Sequence, residues 1–547
     1  MEQYEVRKLT KDYITEHINK YIDDYYSMYN DNIGYLLYYP LLSVEFRFQE
    51  LRENAQRGVP ERYAMSWFIR EMLQKGVDFN LELEFKETDF KKFQNRSFKE
   101  ICSLYKDFLM CEQVMDMSSI AKSEFEEFEP NKFRFTSALI EGGLRKDYIY
   151  YHGIGNPNFD SEREIKDRVH IRIFERYIKK FGPKAYEELK KIEVNIDNDL
   201  LNLCNESVRI DLNNLGGNVK SSIIKNIEDL TVMVGFYYYY SVVNQFASYV
   251  GRMFGKSSTK ELLCEYDVEW FIEKAIDTTK LSRGKVEKYL NYFRFVDKGS
   301  LQEFPILFHK DKIFFIPSSW ILNDFQYSIV NGHYYKKETF KNRDKTISYS
   351  VVKTIINKVE KYENIVFEQE KYYEFYDENS EKINSDVDVI LYDEISNTFI
   401  IIECKWKENH YVEAGEENYW KIHQSLNEIY TEQISKHKAF INDDKNKLSY
   451  LLNGKVKPED ISDNPNILYI AVDKRSQLYI DDYMMVPLNG LIVLMDISSE
   501  NNILHLDKLA IHLKKQTTKA AYLNVFESKE IKISQEVTLV TEDLESF

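Results

Sequence analysis

The segment Asp386–Trp406 constrains the fold more than any other part of the chain. Its sequence, DVDVILYDEISNTFIIIECKW, contains two apolar runs, VIL and FIII, separated by a polar DEISN turn. Short apolar runs on either side of a turn predict a hairpin of two buried strands. Acidic side chains and a lysine lie within these strands, and burying a charge without a partner is energetically unfavourable. The fold must therefore supply partners for these charges.

The geometry of a hairpin predicts where the charges lie. Side chains alternate between the two faces of a strand, so Asp386 and Asp388 are expected to share one face, as are Glu403 and Lys405. A hairpin closed symmetrically about the DEISN turn places Asp388 opposite Glu403 and Asp386 opposite Lys405. Directly opposed residues on one face have Cβ atoms about 4.5–5.5 Å apart. The pattern thus predicts two neighbouring carboxylates with a lysine beside them.

Two close carboxylates are a suitable ligand set for a divalent cation. Mg²⁺ binds one or two carboxylates and keeps several waters, and Asp388 and Glu403 offer such a pair, with Mn²⁺ as the alternative ion. A bound ion supplies Lewis acidity and a more acidic water. Lys405 is placed to orient or help deprotonate that water, or to stabilise charge on a phosphate. The residues therefore indicate a metal-dependent phosphodiester-cleaving centre.

This pattern resembles the PD-(D/E)xK nuclease superfamily, whose members have the restriction-endonuclease-like fold. The family core has a helix, a mixed sheet with the Asp and the Glu-x-Lys on adjacent central strands, and a following helix. By this resemblance Asp388 corresponds to the metal-binding Asp, Glu403 to the second carboxylate and Lys405 to the catalytic lysine. The resemblance extends over roughly residues 340–500 and implies nothing about the rest of the chain.

The flanking segments fit the order of elements in that core. Upstream, residues 346–364 have apolar residues at helical spacing, and a predicted strand follows at 365–375. Downstream, residues 418–441 have the apolar stripe of an amphipathic helix. The next predicted strand is 467–472, and 490–496 is a further candidate strand.

Two helical positions refine the comparison with the family. Gln433 falls on the apolar stripe, and some members have a helical Gln-x-x-x-Tyr here that reaches the active site. This chain has Gln433 followed by His437, so Gln433 is included among the candidate catalytic residues. The alternative is a partly exposed polar pair on an amphipathic helix. Many members also have a metal-binding Glu on the first helix, where this chain has Ser350, so two metal ions are not predicted.

A simpler interpretation of the same residues is a structural ion pair or a set of solvated strand ends. Inactive relatives of the fold also exist, so a catalytically inactive scaffold or binding subunit is an alternative function. All three expected positions hold suitable residue types, which favours the active metal site. Asp386 is predicted to be a helper or a partner of Lys405. Cys404 and Trp406 are predicted to point to the opposite face, into the core.

The length of 547 residues predicts a multidomain protein. The expected fold class is a mainly α N-terminal region followed by a C-terminal α/β restriction-endonuclease-like domain, whose mixed sheet is flanked by helices. The predicted helical parts are an N-terminal region at 1–155 and a helical domain at 156–300. They are followed by a short β-containing connector at 301–340 and a nuclease-like domain with a C-terminal β-rich extension at 341–547.

Cysteine usage and hydropathy predict a cytoplasmic protein. Five scattered cysteines form no CxxC or Cys/His cluster, which argues against a zinc site and a disulfide scaffold. The sequence MEQYEVRKLTKDY at the start has no apolar signal core. The uncharged stretch at 230–251 is long enough to cross a bilayer, but Asn244, Gln245 and its tyrosines favour a buried helix. No membrane association is expected.

The formal net charge of −17 limits how the chain can bind nucleic acid. Proteins that bind nucleic acid by themselves usually have a basic footprint, which here must be local, with candidates within 179–184, 336–345 and 436–447. We therefore expect DNA as the substrate, RNA as the alternative, and a partner protein or homo-oligomer that contributes to binding. The architecture resembles an endonuclease effector of bacterial anti-phage defence or restriction, with a sensing or recruiting N-terminal region.

Overall fold

The computed structural model describes residues 3–51, 59–78, 84–105, 108, 124–136, 167–213, 215, 219–295, 299–322, 325–341, 343–376, 379–406, 424–474, 478–480, 483–515 and 526–544. Within these ranges the N-terminal part is rich in helices, and the C-terminal part contains a mixed sheet with helices. This arrangement confirms the predicted fold class at the level of its architecture.

Aromatic packing forms the core of the first helical layer. The helices of this layer are α1 (Gln3–Tyr29), α2 (Tyr39–Leu51), α3 (Val59–Gln74) and α4 (Glu87–Asn95). The ring of Tyr25 meets that of Phe68 at a centroid distance of 5.2 Å, and Tyr35 and Tyr39 each lie 6.0 Å from Phe93. Such pairs contribute about 0.5–1.5 kcal/mol each beyond the burial of area. Many tyrosines of this region are therefore core residues.

A long buried helix lies in the middle of the chain. The helices described there are α5 (Ala185–Val194), α6 (Asn198–Asn213), α7 (Ile227–Met253), α8 (Val268–Thr279) and α9 (Arg283–Tyr292). The Tyr239 and Tyr240 hydroxyls of α7 donate to the backbone carbonyls of Ile192 and Glu193. The helix is thus a core element, as predicted. Among the described residues, no helix is long and apolar enough to cross a membrane.

Short strands separate the helical region from the larger sheet. They are β3 (Cys264–Asp267), β4 (Ile306–His309) and β5 (Lys312–Phe315), in the order β3-β5-β4. β4 and β5 lie within the segment 301–340 that was predicted as a β-containing connector, and Lys310 in the turn between them has a φ of 51°. Two helices follow, α10 (Pro317–Leu322) and α11 (Phe325–Tyr335).

A six-stranded mixed sheet dominates the C-terminal part. It follows α12 (Tyr349–Val359), and its strands are β6 (Ile365–Tyr376), β7 (Lys382–Asp393), β8 (Thr398–Lys405), β9 (Asn466–Asp473), β10 (Leu478–Ile480) and β11 (Tyr483–Pro487). The order is β10-β11-β9-β8-β7-β6. Neighbouring strands β6, β7 and β8 are antiparallel, whereas β8–β9 and β9–β11 are parallel. The two strands of the Asp386–Trp406 hairpin therefore lie inside the sheet.

The hairpin has the predicted register. Its pairs run from Asp393–Thr398 at the turn to Val389–Ile402. One face of the sheet joins the large core that also contains α12, and the other packs on α13 (Ser435–Ile441) and α14 (Lys445–Leu451). A π-helical turn, Ile429–Ile434, leads into α13. Burial of both faces explains why the two strands are almost continuously apolar.

The candidate strand at 490–496 is wrong, because this segment belongs to the helix α15 (Leu488–Ile497). A short apolar run fits a buried strand and a buried helix equally well on periodicity alone. The buried residues Leu488, Leu491 and Met495 recur at helical spacing. Pro487 sets the start, since proline is tolerated at a helix N-terminus.

The last elements return to the N-terminal region. They are β12 (Ser499–Glu500), β13 (Ile503–Leu504), α16 (Leu506–Lys515), β14 (Phe526–Lys532) and β15 (Thr538–Leu544). β15 pairs in parallel with β2 (Lys132–Thr136), which forms a hairpin with β1 (Glu124–Glu129). The N-terminal region and the C-terminal extension thus share a four-stranded sheet of order β1-β2-β15-β14.

The buried carboxylate of Asp393 connects the turn of the β7–β8 hairpin to the start of α16. Its Oδ1 accepts hydrogen bonds from Asn364 Nδ2 at 2.6 Å and from the backbone N–H of Ile395 at 3.0 Å. Its Oδ2 accepts from Ser396 Oγ at 2.6 Å and from the backbone N–H of Leu506 at 3.2 Å. Four donors satisfy the charge, so Asp393 is a structural residue.

Replacing Asp393 should destabilise the sheet. Asp393→Ala leaves several buried donors unpaired, at about 1–3 kcal/mol each, so we expect the free energy of unfolding to fall by about 3 kcal/mol or more. Urea denaturation followed by tryptophan fluorescence measures the change. Glu394→Ala, at an exposed position of the same turn, is the control and should stay within about 0.5 kcal/mol of wild type. Equal stability of the two variants would contradict this account.

Candidate active site

The β7–β8 hairpin brings Asp388, Glu403 and Lys405 together, as the sequence predicted. The register of the hairpin makes Asp388 and Glu403 the pair that follows Val389 and Ile402. The two carboxyl groups are in hydrogen-bonding contact, and Lys405 Nζ lies 3.5 Å from Glu403 Oε2. Both carboxylates therefore occupy one small site at the end of β8.

Side-chain alternation along β7 is interrupted at Asp388. Val387 packs in the same hydrophobic cluster as Ile390, three residues on, whereas Val389 packs on the other face. On β6 the residue facing this point is Glu370, whose φ of 47° lies outside the β region. Such irregular positions in strands occur often beside functional sites. The interruption changes which residues share a face with Asp388.

The predicted role of Asp386 as a partner of Lys405 is wrong. Asp386 pairs directly with Tyr372 of β6, and both side chains are exposed. The next residue of β6, Tyr373, is fully buried on the other face. Asp386 therefore lies on the opposite side of the sheet from Glu403 and Lys405. The prediction assumed unbroken alternation between Asp386 and Asp388.

Asp388 holds its proton unusually tightly. Burial and then the negative charge of Glu403 raise the pKa of Asp388 to about 8, against the opposing effect of the Lys405 ammonium. The backbone N–H of Cys404 donates to Asp388 Oδ2 at 2.7 Å. Without a further cation, burial and the neighbouring Glu403 thus disfavour the ionised form of Asp388.

Glu403 is held from two sides. Its side chain is only 3% exposed. His437 Nε2 lies 2.6 Å from Oε1, and Lys405 Nζ approaches Oε2. Each carboxylate oxygen thus has a separate partner, which fixes the orientation of the group.

Lys405 carries a permanent positive charge in this site. Burial alone would lower the pKa of Lys405, but the negative charges of Glu403 and Asp388 more than offset it and raise the pKa above its ordinary value. A lysine that stays protonated is a poor base. Of the roles predicted for Lys405, orienting water and stabilising negative charge on a phosphate fit this environment.

Sequence reasoning did not assign His437 and Tyr373 to the site. His437 is completely buried, and its Nδ1 lies 2.6 Å from the Tyr373 hydroxyl. Together they connect β6 and α13 to Glu403 on β8. The signal in the sequence was the four-residue spacing from Gln433 to His437, which places both on one helix face.

Gln433 lies one turn before His437. Within the described residues, it forms no hydrogen bond with the carboxyl group of Asp388 or Glu403. It belongs to the π-helical turn Ile429–Ile434 and is partly exposed. Its Oε1 is buried and has no hydrogen-bond partner within the described part of the chain. The predicted inward orientation is therefore present, and a catalytic role for Gln433 stays a prediction.

The residues predicted to support the site are buried. Cys404 and Trp406 are 3% and 1% exposed and belong to the large core, as predicted. Ser350 of α12 is also buried, and its Oγ donates to the backbone carbonyl of Ile347 at 2.6 Å. The Ser350 hydroxyl is thus bonded to the π-helical turn Asp344–Ser348 that precedes α12.

The donor set of Asp388 and Glu403 suits a divalent cation. Half-buried Asp388 and buried Glu403 have one neighbouring ammonium, so a second positive centre would relieve the repulsion between the two carboxyl groups. Oxygen ligands from carboxylates are those that Mg²⁺ and Mn²⁺ prefer. Asp388 and Glu403 are therefore the residues that could hold a metal ion.

A second group of possible ligands has a different explanation. Atoms of Asp393, His505 and Asp507 lie within 4.8 Å of one another. Asp393 already accepts four hydrogen bonds, including one from the N–H of Leu506 at the start of α16. The carboxylate is satisfied by protein donors, so this cluster provides no argument for a metal.

Comparisons with known proteins give no assignment. No protein-family profile matches the chain, and neither a curated protein nor a solved structure matches it significantly.

The raised pKa of Asp388 makes the stability of the metal-free protein depend on pH. The pKa rises from an ordinary value of 3.8 to about 8 on folding, so the folded state binds this proton more tightly. The resulting stability is fully present below about pH 4 and is lost as the pH rises to about 8. In EDTA, we expect the Tm of wild type to fall relative to that of Asp388→Asn across this range.

The exposed Asp386 supplies a matched control for this measurement. Asp386→Asn should follow the pH dependence of wild type, because the side chain faces solvent. A constant Tm difference between wild type and Asp388→Asn across the whole range would contradict the raised pKa of Asp388.

Proposed function

We propose that the chain is a metal-dependent nuclease that cleaves DNA internally, with Asp388, Glu403 and Lys405 as its catalytic centre. The observation that carries the proposal is the contact between buried Glu403 and half-buried Asp388 beside a charged lysine, on two adjacent strands inside a mixed sheet. The resemblance to the PD-(D/E)xK pattern supports the same activity.

Asp388 and Glu403 would hold one Mg²⁺ or Mn²⁺. When bound, the ion supplies Lewis acidity to the phosphate and a more acidic water. Lys405 stays protonated beside Glu403, so its ammonium can orient a phosphate oxygen and stabilise the negative charge that develops on it. In the overall reaction the oxygen of water bonds to phosphorus while one phosphorus–oxygen ester bond breaks. The proton from water ends on the leaving oxygen or in solvent.

Basic residues close to the site support a phosphate-containing substrate. Arg343 donates to the backbone carbonyl of Trp406 at 2.8 Å, which places a guanidinium at the end of β8. Lys438 of α13 and Lys447 of α14 lie over the rings of Tyr469 and Phe440. These cations are candidates for phosphate contacts on a chain whose net charge is −17. Because the chain as a whole repels DNA, we include a partner protein or a second copy in the proposal.

The biological setting that we propose is an effector of bacterial anti-phage defence or restriction. The helix-rich N-terminal region would sense a signal or recruit the substrate, and the strongly acidic chain would limit unregulated binding to the genome. The proposal for this region rests on its architecture alone.

Glu403→Gln and Lys405→Met should each reduce cleavage of plasmid DNA by about 10²-fold or more, the magnitude typical for loss of one preorganised catalytic group. Agarose gels of plasmid incubated with Mg²⁺ or Mn²⁺, with EDTA as the metal-free sample, measure this. Glu394→Gln at the exposed hairpin turn is the matched control and should cleave like wild type.

A parallel assay with total RNA distinguishes the alternatives. If RNA but not DNA is cleaved and the same substitutions abolish this cleavage, the substrate is RNA and the catalytic site is the one proposed. Wild-type activity of the Glu403 variant would mean that the site is elsewhere. If neither substrate is cut by the chain alone or with its genetic neighbours, the chain is a scaffold and the proposal fails.

A further inference from the structure

We propose that His437, held by Tyr373, is a positioning residue for Glu403 and thereby sets the affinity of the site for its divalent cation. The inference rests on the proposed function, because it assigns a role to residues that surround the same carboxylates. It extends the site from the hairpin to β6 and α13.

Four polar groups form a continuous line, in which half-buried Ser385 is followed by three buried side chains. The Ser385 hydroxyl bonds the Tyr373 hydroxyl, which lies 2.6 Å from His437 Nδ1. His437 Nε2 in turn lies 2.6 Å from Glu403 Oε1. Tyr373 and His437 are 0% exposed and Glu403 is 3% exposed. A buried, fully connected polar line of this kind holds its members in one arrangement.

The donors and acceptors along this line have one consistent direction. The Glu403 carboxylate accepts from Lys405 Nζ at its Oε2, at 3.5 Å. An ionised carboxylate only accepts hydrogen bonds, so His437 Nε2 carries a proton and donates it. Ser385 donates to the Tyr373 oxygen, and the Tyr373 O–H then donates to His437 Nδ1. Tyr373 therefore selects the tautomer in which His437 can donate to Glu403.

Packing keeps the two rings in place. The Tyr373 ring stacks on Phe440 at a centroid distance of 4.2 Å and meets the His437 ring at 5.7 Å. Phe440 is on α13, one turn after His437. The aromatic contacts and the hydrogen bonds thus fix the same two side chains, which leaves His437 little freedom to turn away from Glu403.

The two carboxylate oxygens of Glu403 have different hydrogen-bond partners. His437 occupies Oε1, so Oε2 is the oxygen on the side of Lys405. With Oε1 anchored, Oε2 is directed toward the position that Asp388 also faces. Partners that orient a ligand in this way typically affect metal affinity or activity by about 10–100-fold when they are removed.

The test measures Mn²⁺ affinity by electron paramagnetic resonance of free Mn²⁺, which needs no substrate. We expect His437→Ala to weaken binding about 10–100-fold and Tyr373→Phe to weaken it by a smaller factor. His437→Gln, whose amide can donate to Glu403, should restore part of the affinity. The matched control is Tyr392→Phe, since Tyr392 lies in the same hydrophobic cluster but its hydroxyl contacts the Asp460 carbonyl.

The outcomes separate this inference from the proposed function. Tm measurements identify variants that lose affinity only through unfolding, and Tyr373→Phe preserves ring volume if His437→Ala does not fold. If folded His437→Ala binds Mn²⁺ as tightly as wild type, the positioning role is overturned while the nuclease proposal stands. Where His437→Ala does not fold, wild-type Mn²⁺ affinity in Tyr373→Phe has the same consequence. A wild-type protein that binds no Mn²⁺ at this site overturns both.

Discussion

The close approach of the Asp388 and Glu403 carboxyl groups in an apolar sheet is the interaction on which the rest of the site depends. Two like charges about 4 Å apart repel by about 4 kcal/mol at an effective dielectric constant of about 20, which is a large part of the net stability of a domain. Lys405, the N–H of Cys404 and His437 are the partners that the protein supplies. Even with these partners, burial and then the charge of Glu403 raise the pKa of Asp388. A divalent cation is the partner that the proposed function adds.

The hairpin could be predicted because its determinants are local. The DEISN turn fixed the register, and the predicted opposition of Asp388 and Glu403 follows from it. The face of Asp386 could not be predicted, because alternation breaks where Glu370 of a different strand adopts a positive φ. The segment 490–496 was equally ambiguous, since an apolar run has no period that separates a buried helix from a buried strand.

The partners of Glu403 could not be predicted from the sequence for a different reason. Tyr373 and His437 are 64 residues apart, and their contact depends on how α13 packs on the sheet. Helical spacing placed His437 on the inner face of its helix, but spacing carries no information about which strand residue it meets. The likeness to a known nuclease pattern indicated the helix and Gln433, whereas in the structure His437 is the residue that contacts Glu403.

The proposed function requires Asp388 and Glu403 to hold one divalent cation together. Anomalous diffraction from crystals soaked in Mn²⁺ tests this requirement. We expect a peak between the two carboxylates, at about 2.0–2.6 Å from an oxygen of each. A peak at Asp393, His505 and Asp507 with none at Asp388 and Glu403 would contradict it, as would the absence of any peak near the end of β8.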